Sequence, residues 1–428
     1  MPAMTDLLAR FGSPLYVYDL SLVRERARSL LEHITYRPFQ PQYALKANSC
    51  PAVVATILGL GYGIDAVSPG EVAMALRLGL SPGKILFTEN NMTDQEMAQA
   101  LSQGVVINCG SLDRLQRLGA AGARSCAVRF NPDVGAGAHA KICTGGPLSK
   151  FGINYQQVDE VLAVERSSGM QVVGCHMHIG SGILDAEVYV RAMKVLLSVA
   201  VRLPNLRWIN FGGGLGIPYK PTDLPLPLDA FGRSASDLMS EFAAAYAHAH
   251  QGRRLELRLE PGRFLVAEAG TLLTTVTSVK TNPDSLEDGV TTPGRTFVGC
   301  DTGFNHLVRP AMYGAYHRIE NLTRPQAPKR TVDVVGNICE SGDIFAKDYH
   351  LPEARLGDCL ALRDAGAYGM AMASTYNLRP LPAEVAIDGA TVTLVRKRQE
   401  LAELLDAWEW GALAGGATGA TASTARDG

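Results

Sequence analysis

Seven short stretches of this 428-residue chain carry side chains able to act together on a small molecule. The first, YALKAN (Tyr43 to Asn48), places Lys46 at the end of an expected strand, where a half-buried amine loses part of its hydration and deprotonates more easily. Such an amine can form a Schiff base with a carbonyl; a solvated strand-end lysine is the plainer alternative. In HMHIGSG (His176 to Gly182), His176 and His178 stand two residues apart and so share one face of a strand. No further ligand cluster follows at suitable spacing, so no metal is expected. The spacing favours an imidazole packed against a flat ring at His178 and a satisfied core histidine at His176. FGGGLGIPY (Phe211 to Tyr219) offers bare backbone N–H groups to an anion. It lacks the third glycine of a dinucleotide fingerprint and follows the seventh expected strand rather than the first, which points to the phosphate of a smaller cofactor.

LEPGRF (Leu259 to Phe264) sets Glu260 close to Arg263, one suited to a protonated ring nitrogen and the other to a phosphate or carboxylate. Mutual pairing at the surface is the alternative. VVGNICESGDIF (Val334 to Phe345) combines the thiol of Cys339 with acids at Glu340 and Asp343. A thiol beside acids can donate a proton, although a structural cysteine in a turn is the commoner case. DTGFNHLVRPAMYGAYH (Asp301 to His317) and DAGAYGMAMASTYNLRP (Asp364 to Pro380) add Arg309, Tyr313 and Tyr368 as anion and substrate contacts.

These residues need a frame that brings them together. Between about residues 40 and 262, eight β-rich runs alternate with helical patterns: Gln42 to Lys46, Gly63 to Val67, Lys84 to Thr88, Val105 to Asn108, Cys126 to Asn131, Gln171 to His178, Leu206 to Phe211 and Leu255 to Glu260. Stretches such as Pro69 to Leu80 and Asp185 to Leu203 have the apolar spacing of helices lying on a sheet. Eight βα units predict an α/β fold, a (β/α)8 TIM-type barrel with its chemistry at the carboxyl ends of the strands. Lys46, Asp65, His178, the glycines after Phe211, and Glu260 all fall at or just beyond those ends. After Arg263 the texture becomes β-branched, as in Thr271 to Lys280, Thr331 to Gly336 and Thr391 to Gln399, which predicts a mainly β C-terminal domain. The expected division is an N-terminal segment, 1–30, pairing with the β domain; the barrel, 31–265; the β domain, 266–413; and a small-residue tail, 414–428, expected to be disordered.

Composition narrows the partners. Hydrophobic residues make up 46% and charged residues 19%, as in a folded globular protein, and 40 basic against 42 acidic residues give no electrostatic reason to bind nucleic acid or an acidic membrane. The N-terminal stretch lacks the apolar run of a secretory signal and no later run reaches membrane-spanning length, so a cytoplasmic enzyme acting on a small molecule is expected. Eight scattered cysteines without a CxxC pair read mostly as reduced core residues.

Taken together, YALKAN, HMHIGSG, GGGLGIPY, EPGRF, RPAMYG, CESGD and DAGAYG occur in the order found in the diaminopimelate decarboxylases, and the chain resembles that family essentially end to end. The family stands with ornithine decarboxylase and alanine racemase in the fold-type III pyridoxal phosphate group. The resemblance implies pyridoxal 5'-phosphate as cofactor, an amino-acid substrate, a homodimer with shared active sites, and decarboxylation of meso-diaminopimelate to L-lysine. It implies that Lys46 carries the cofactor, His178 stacks on its ring, and Glu260 partners the ring nitrogen, with Asp65 and Gly262 in the same cofactor set. Ser181, Gly213, Gly214, Arg263 and Tyr368 match phosphate-binding positions, Arg263 and Tyr368 also touching substrate. Cys339 matches a proton donor delivered from the second subunit, and Arg309, Tyr313 and Glu340 match residues that hold the distal end of the substrate. Ornithine lacks a distal carboxylate, so Arg309 favours diaminopimelate. The segment Asn131 to Gly152 resembles one that packs over the substrate. Asn337 and Ile338 before CESGD, Thr375 and Leu378 in STYNLRP, and FTENNMT (Phe87 to Thr93) depart from the family pattern, which leaves a sister decarboxylase of another amino acid as the competing expectation. CESGD weighs against a racemase, and the presence of Lys46 and Cys339 weighs against a non-catalytic dimerising homologue.

Overall fold

The computed structural model describes residues 2–137, 139, 144–287 and 290–410; the expected tail 414–428 and Cys143 lie outside them. Strand β1 (Leu15–Asp19) precedes eight short parallel strands: β2 (Gln42–Ala44), β3 (Gly63–Ala66), β4 (Ile85–Thr88), β5 (Val106–Cys109), β6 (Ser125–Asn131), β8 (Gln171–His176), β9 (Trp208–Asn210) and β10 (Glu256–Arg258). The two-residue β7 (Ile153–Asn154) pairs only with β6. The row β2 to β10 curls until its ends meet: Phe39 bridges Leu257, and the Gln42 N–H donates to the Leu259 carbonyl at 2.8 Å. Both faces of these strands are covered, as a parallel sheet requires, and their residues are buried almost throughout.

The helices on the outside begin where the sequence supplies caps. Ser68 accepts from the Glu71 N–H with Pro69 at the first helical position, Ser111 accepts from the Arg114 N–H, and Thr93 with Glu96 forms a reciprocal capping box. Most of the barrel strands are shorter than their apolar runs suggest, the seventh and eighth shrinking to Trp208–Asn210 and Glu256–Arg258, and two of the shortenings bear on the site. The first ends at Ala44 and gives way to a single 3-10 turn, Leu45–Ala47, while the sixth ends at His176 rather than His178. The residues beyond each last ladder position leave the sheet and turn over the barrel mouth, which is how Lys46 and His178 come to face the cavity.

The rest of the chain adds β11 (Gly270–Thr281), the small hairpin β12 (Ser285–Glu287) and β13 (Val290–Thr292), β14 (Thr296–Cys300), β15 (Ile319–Asn321), β16 (Lys329–Val335), β17 (Ile344–Pro352), β18 (Cys359–Leu362), β19 (Ala383–Asp388) and β20 (Thr391–Arg396). A second sheet runs β17-β16-β14-β11-β1-β19-β20, with β18 joining β11 to β15. Strand β1 lies in its middle, antiparallel to β11 and parallel to β19. From there the chain enters the helix Leu20–His33, capped by Asp19, whose buried face of Val23, Ala27 and Leu30 packs on the barrel. One continuous apolar cluster therefore spans both sheets. No helix among the described residues is long and apolar enough to cross a membrane.

Where the chain passes from the barrel into the second sheet, Gly366 is closely packed: an added Cβ would lie 1.9 Å from the Val266 carbonyl oxygen and 2.7 Å from the Gly270 nitrogen. Both contacts are backbone and cannot give way. Gly366→Ala is therefore expected to lower unfolding stability by about 2 kcal/mol or more. Gly83→Ala, where no atom lies within 4 Å of the new Cβ, should stay within about 0.5 kcal/mol in the same denaturant titration.

Candidate active site

At the barrel mouth the Lys46 ammonium donates to Asp65 Oδ2 at 2.5 Å, Asp65 being the residue beside Ala44 in the β2–β3 register. Asp65 is fully buried, whereas the Lys46 side chain is 32% exposed and opens to a cavity. Burial disfavours the Lys46 ammonium, but Asp65, Tyr368 and Glu260 together outweigh it and hold the amine above its ordinary pKa. Burial, with Glu260, pushes the Asp65 carboxyl upward against the pull of Lys46. The lysine is thus held at one place within reach of a cavity ligand and, contrary to the easier deprotonation expected from half-burial alone, charged, because the buried Asp65 carboxylate faces it.

Glu260 follows β10 and is fixed through both oxygens. His176 Nε2 lies 3.0 Å from Oε2, and Asn210 Nδ2 donates to Oε1 at 2.7 Å. The register pairs His176 with Asn210 across β8 and β9, so the two donors stand side by side. Burial works to protonate Glu260; His176 and Lys46 override it and hold the carboxyl well below its usual range. His176 is the core histidine that the sequence indicates, and it is also part of the site, as the residue that clamps this carboxylate. His178 receives the Gly213 N–H on Nδ1 at 3.1 Å, so the neutral ring carries its proton on Nε2. Burial, then Arg129 and Lys46, drive its pKa well below the ordinary value, leaving a flat uncharged ring against the cavity.

The glycine run after β9 forms a backbone cradle. A Cβ at Gly213 would lie 1.9 Å from the Glu260 carbonyl oxygen; Gly214, at φ +101°, would set one 2.1 Å from the Gly180 oxygen. Only glycine lets the chain pass that close. Beside it, Arg263 donates to Ser181 Oγ at 3.1 Å and to the Tyr219 hydroxyl at 2.8 Å, with its guanidinium 4.8 Å over the Tyr368 ring. Tyr368 adopts a left-handed φ of +56°, held by its N–H on the Ala47 carbonyl at 2.8 Å. Gly262 packs against Ala44 and Ala47, where a Cβ would come within 3.0 Å. An accessible amine, a buried anionic carboxylate, an uncharged flat imidazole and a cationic, glycine-lined cradle match the aldehyde, ring nitrogen, ring face and phosphate of pyridoxal phosphate. The donor set fits that cofactor.

The cavity, about 400 Å³, is lined by Lys46, His178, Ser181, Glu260, Arg263 and Tyr368 among others. A second cavity of about 630 Å³ adjoins it, sharing Arg263, Arg309 and Tyr313. Most of the residues singled out from sequence thus stand in or directly behind one mouth. Cys339 and Glu340 do not: both are exposed and line neither cavity, the Cys339 N–H bonding Asn377 Oδ1 and Glu340 accepting from the Tyr376 hydroxyl. Asp343 turns inward beneath them and accepts the Ile338 and Phe304 N–H groups. Asn210, Arg129 and Tyr219 were not foreseen as site residues. Arg129 is a buried cation inside the apolar run CAVRF, and Asn210 a buried amide in WINF; a polar group at an inward position of a barrel strand is the signal that could have found them.

Comparison with known proteins bears on family and fold. Residues 20–267 match the family model described as pyridoxal-dependent decarboxylase, pyridoxal binding domain. The chain is 43% identical over 410 residues to a diaminopimelate decarboxylase of Methanothermobacter thermautotrophicus, covering 94% of this chain and 92% of that protein. It superposes on the crystal structure of the Helicobacter pylori diaminopimelate decarboxylase complexed with L-lysine with a TM-score of 0.84 and 32% identity, covering 95% of this chain and 99% of that one. The lysine/ornithine decarboxylase of Vibrio vulnificus complexed with putrescine, 22% identical with a TM-score of 0.74 over 90% of this chain and 97% of that one, shares the fold.

His176→Ala leaves one oxygen of a buried carboxylate without its donor, an expected cost of about 1–3 kcal/mol. Glu260 is held below the ordinary 4.5, at about 2. The stability it contributes is therefore complete above about pH 4.5 and lost as pH falls toward 2. The stability gap between wild type and His176→Ala, followed by denaturant unfolding, should be widest above about pH 5 and narrow on acidification; a gap that widens on acidification contradicts the clamp.

Proposed function

The chain belongs to the pyridoxal-dependent decarboxylases, and from that premise we propose that it releases carbon dioxide from meso-diaminopimelate to leave L-lysine, the last step of lysine biosynthesis. One observation carries the choice of substrate. Arg309 is 5% exposed at the junction of the two cavities, yet it makes no ion pair with any described carboxylate. A buried cation without an anion is costly, so the ligand is expected to bring the anion. Arg263 is in the same position, its fork resting on a serine and a tyrosine hydroxyl. Two such guanidiniums call for two anionic groups, the phosphate of the cofactor and the distal carboxylate of diaminopimelate. Ornithine has no such group, and the same site acting on a simple diamino acid remains the second reading only because the departures around CESGD lie close to Glu340.

When bound, pyridoxal phosphate supplies a conjugated system that accepts the electrons of the bond to the leaving carboxylate. The protein's residues prepare that event. Lys46 presents its amine to the cofactor aldehyde from a fixed turn, Asp65 holding the amine in place. Glu260, kept anionic by His176 and Asn210, holds a proton at the ring nitrogen. His178 covers the ring face and excludes water from it. Gly213, Gly214, Ser181, Arg263 and Tyr368 bind the phosphate, while Arg309 and Tyr313 orient the distal end of the substrate. The α-carbon must then be reprotonated. Cys339 is assigned to that step and Glu340 to the distal ammonium; since both lie outside the cavity of their own chain, a second copy has to deliver them, which makes the working unit a homodimer with shared sites. A cytoplasmic setting suits the seven described cysteines, all of them free.

Purified protein loaded with pyridoxal phosphate should release carbon dioxide from meso-diaminopimelate with a kcat/KM at least about 100-fold above that for ornithine, lysine or arginine. A preference for ornithine overturns the substrate assignment. Lys46→Ala and Cys339→Ala should each be inactive alone. Mixed after unfolding and refolding together, they should recover up to about a quarter of wild-type activity, since half of the dimers then contain one intact site; no recovery contradicts sharing.

A further inference from the structure

Beyond the groups that touch substrate, we propose that His317 is a positioning residue that orients Arg309 while leaving its positive charge uncompensated for the distal carboxylate of the ligand. The inference rests on the assignment of Arg309 above. His317 lies eight residues after Arg309 in RPAMYGAYH, and Gly314, at φ +60°, ends the intervening helix Arg309–Tyr313 and turns the chain back. The imidazole is 1% exposed. Its Nδ1 stands 2.9 Å from the Arg363 carbonyl oxygen, which can only accept, so Nδ1 carries the proton. The lone pair of the neutral ring is then on Nε2, and Arg309 Nη1, which can only donate, lies 3.0 Å from it. Burial, then Arg309 itself, push the imidazole down to about 3, so it stays neutral at working pH.

The support behind His317 is continuous. Arg363 is held by Glu320 at 2.8 Å, which fixes the carbonyl that sets the tautomer. The His317 ring meets Tyr219 edge to face at 5.6 Å, and the Tyr219 face lies 4.6 Å from the Arg309 guanidinium. One N–H of Arg309 is thereby fixed on an imidazole and its flat face on a phenol ring, neither of them a carboxylate. An aspartate or glutamate at 317 would hold the arginine at least as firmly, but it would neutralise the charge and compete with the ligand carboxylate. A neutral acceptor gives orientation without that competition, and dicarboxylate recognition depends on the difference.

The test compares two near-isosteric substitutions in the cofactor-loaded dimer. The dissociation constants of 2-aminopimelate and 2-aminoheptanoate, equal in chain length with and without the distal carboxylate, are measured by titration calorimetry. Wild type should bind the dicarboxylate about tenfold or more tightly than the monocarboxylate. His317→Gln keeps an acceptor for Arg309 and should hold that ratio within about threefold, whereas His317→Glu should collapse it toward one. A Glu variant with the wild-type ratio overturns the proposal, as do Gln and Glu variants that weaken both ligands equally, the mark of a merely structural residue. If the Glu variant does not fold, His317→Asn, which can still bond the Arg363 carbonyl but cannot reach Arg309, should also lose the ratio, and its retention overturns the proposal. A wild type that does not discriminate at all removes the assignment of Arg309, and the role of His317 with it; discrimination lost in Arg309→Met but kept in His317→Glu removes the role of His317 alone.

Discussion

A carboxylate sealed from water must be kept as an anion by donors built into the sheet, and Glu260 is that carboxylate. Its two partners come from two different strands, His176 from β8 and Asn210 from β9, while Glu260 itself follows β10. The arrangement exists only if three neighbouring strands keep one register, which the closed barrel enforces. Around this fixed negative charge the other charges fall into place. Lys46 is held by Asp65 on the first strands, and His178 is kept neutral by burial beside Arg129 and Lys46. These side chains already hold one another by hydrogen bonds across the mouth, the kind of arrangement that lowers the cost of ordering on binding.

Much of this was legible in the amino-acid order, for a definite reason. Parallel strands buried on both faces give compact apolar runs, and a barrel puts its chemistry just past them; Lys46 after QYAL, His178 after CHM and Glu260 after LRL therefore announced themselves. What stayed hidden depends on contacts between strands. Period two puts His176 and His178 on one face, but nothing local says that His176 meets Asn210 or that both grip Glu260. The left-handed backbone of Tyr368 has no side-chain signature either, being imposed by its N–H on Ala47. Likewise LYVYD reads plainly as a strand, while its place between β11 and β19 is decided by residues more than 250 positions away.

The arginines express the same rule with the sign reversed. Arg263 and Arg309 are buried beside hydroxyls, aromatic faces and one neutral imidazole, with no described carboxylate paired to either. Their incomplete neutralisation is the feature on which the proposed selection of anionic ligands rests. The same chain leaves Cys339 and Glu340 on its surface, outside both cavities, and the proposed sharing of sites between two copies is the reading that gives them a cavity to serve.

The central claim is that Lys46, and no other amine, holds pyridoxal phosphate covalently beside Glu260. Borohydride reduction of the loaded protein followed by peptide mass mapping tests it most directly. A single reduced pyridoxyl-phosphate adduct on the peptide containing Lys46 is the expected result. An adduct on another lysine, or none on a protein that still releases carbon dioxide, would contradict the account.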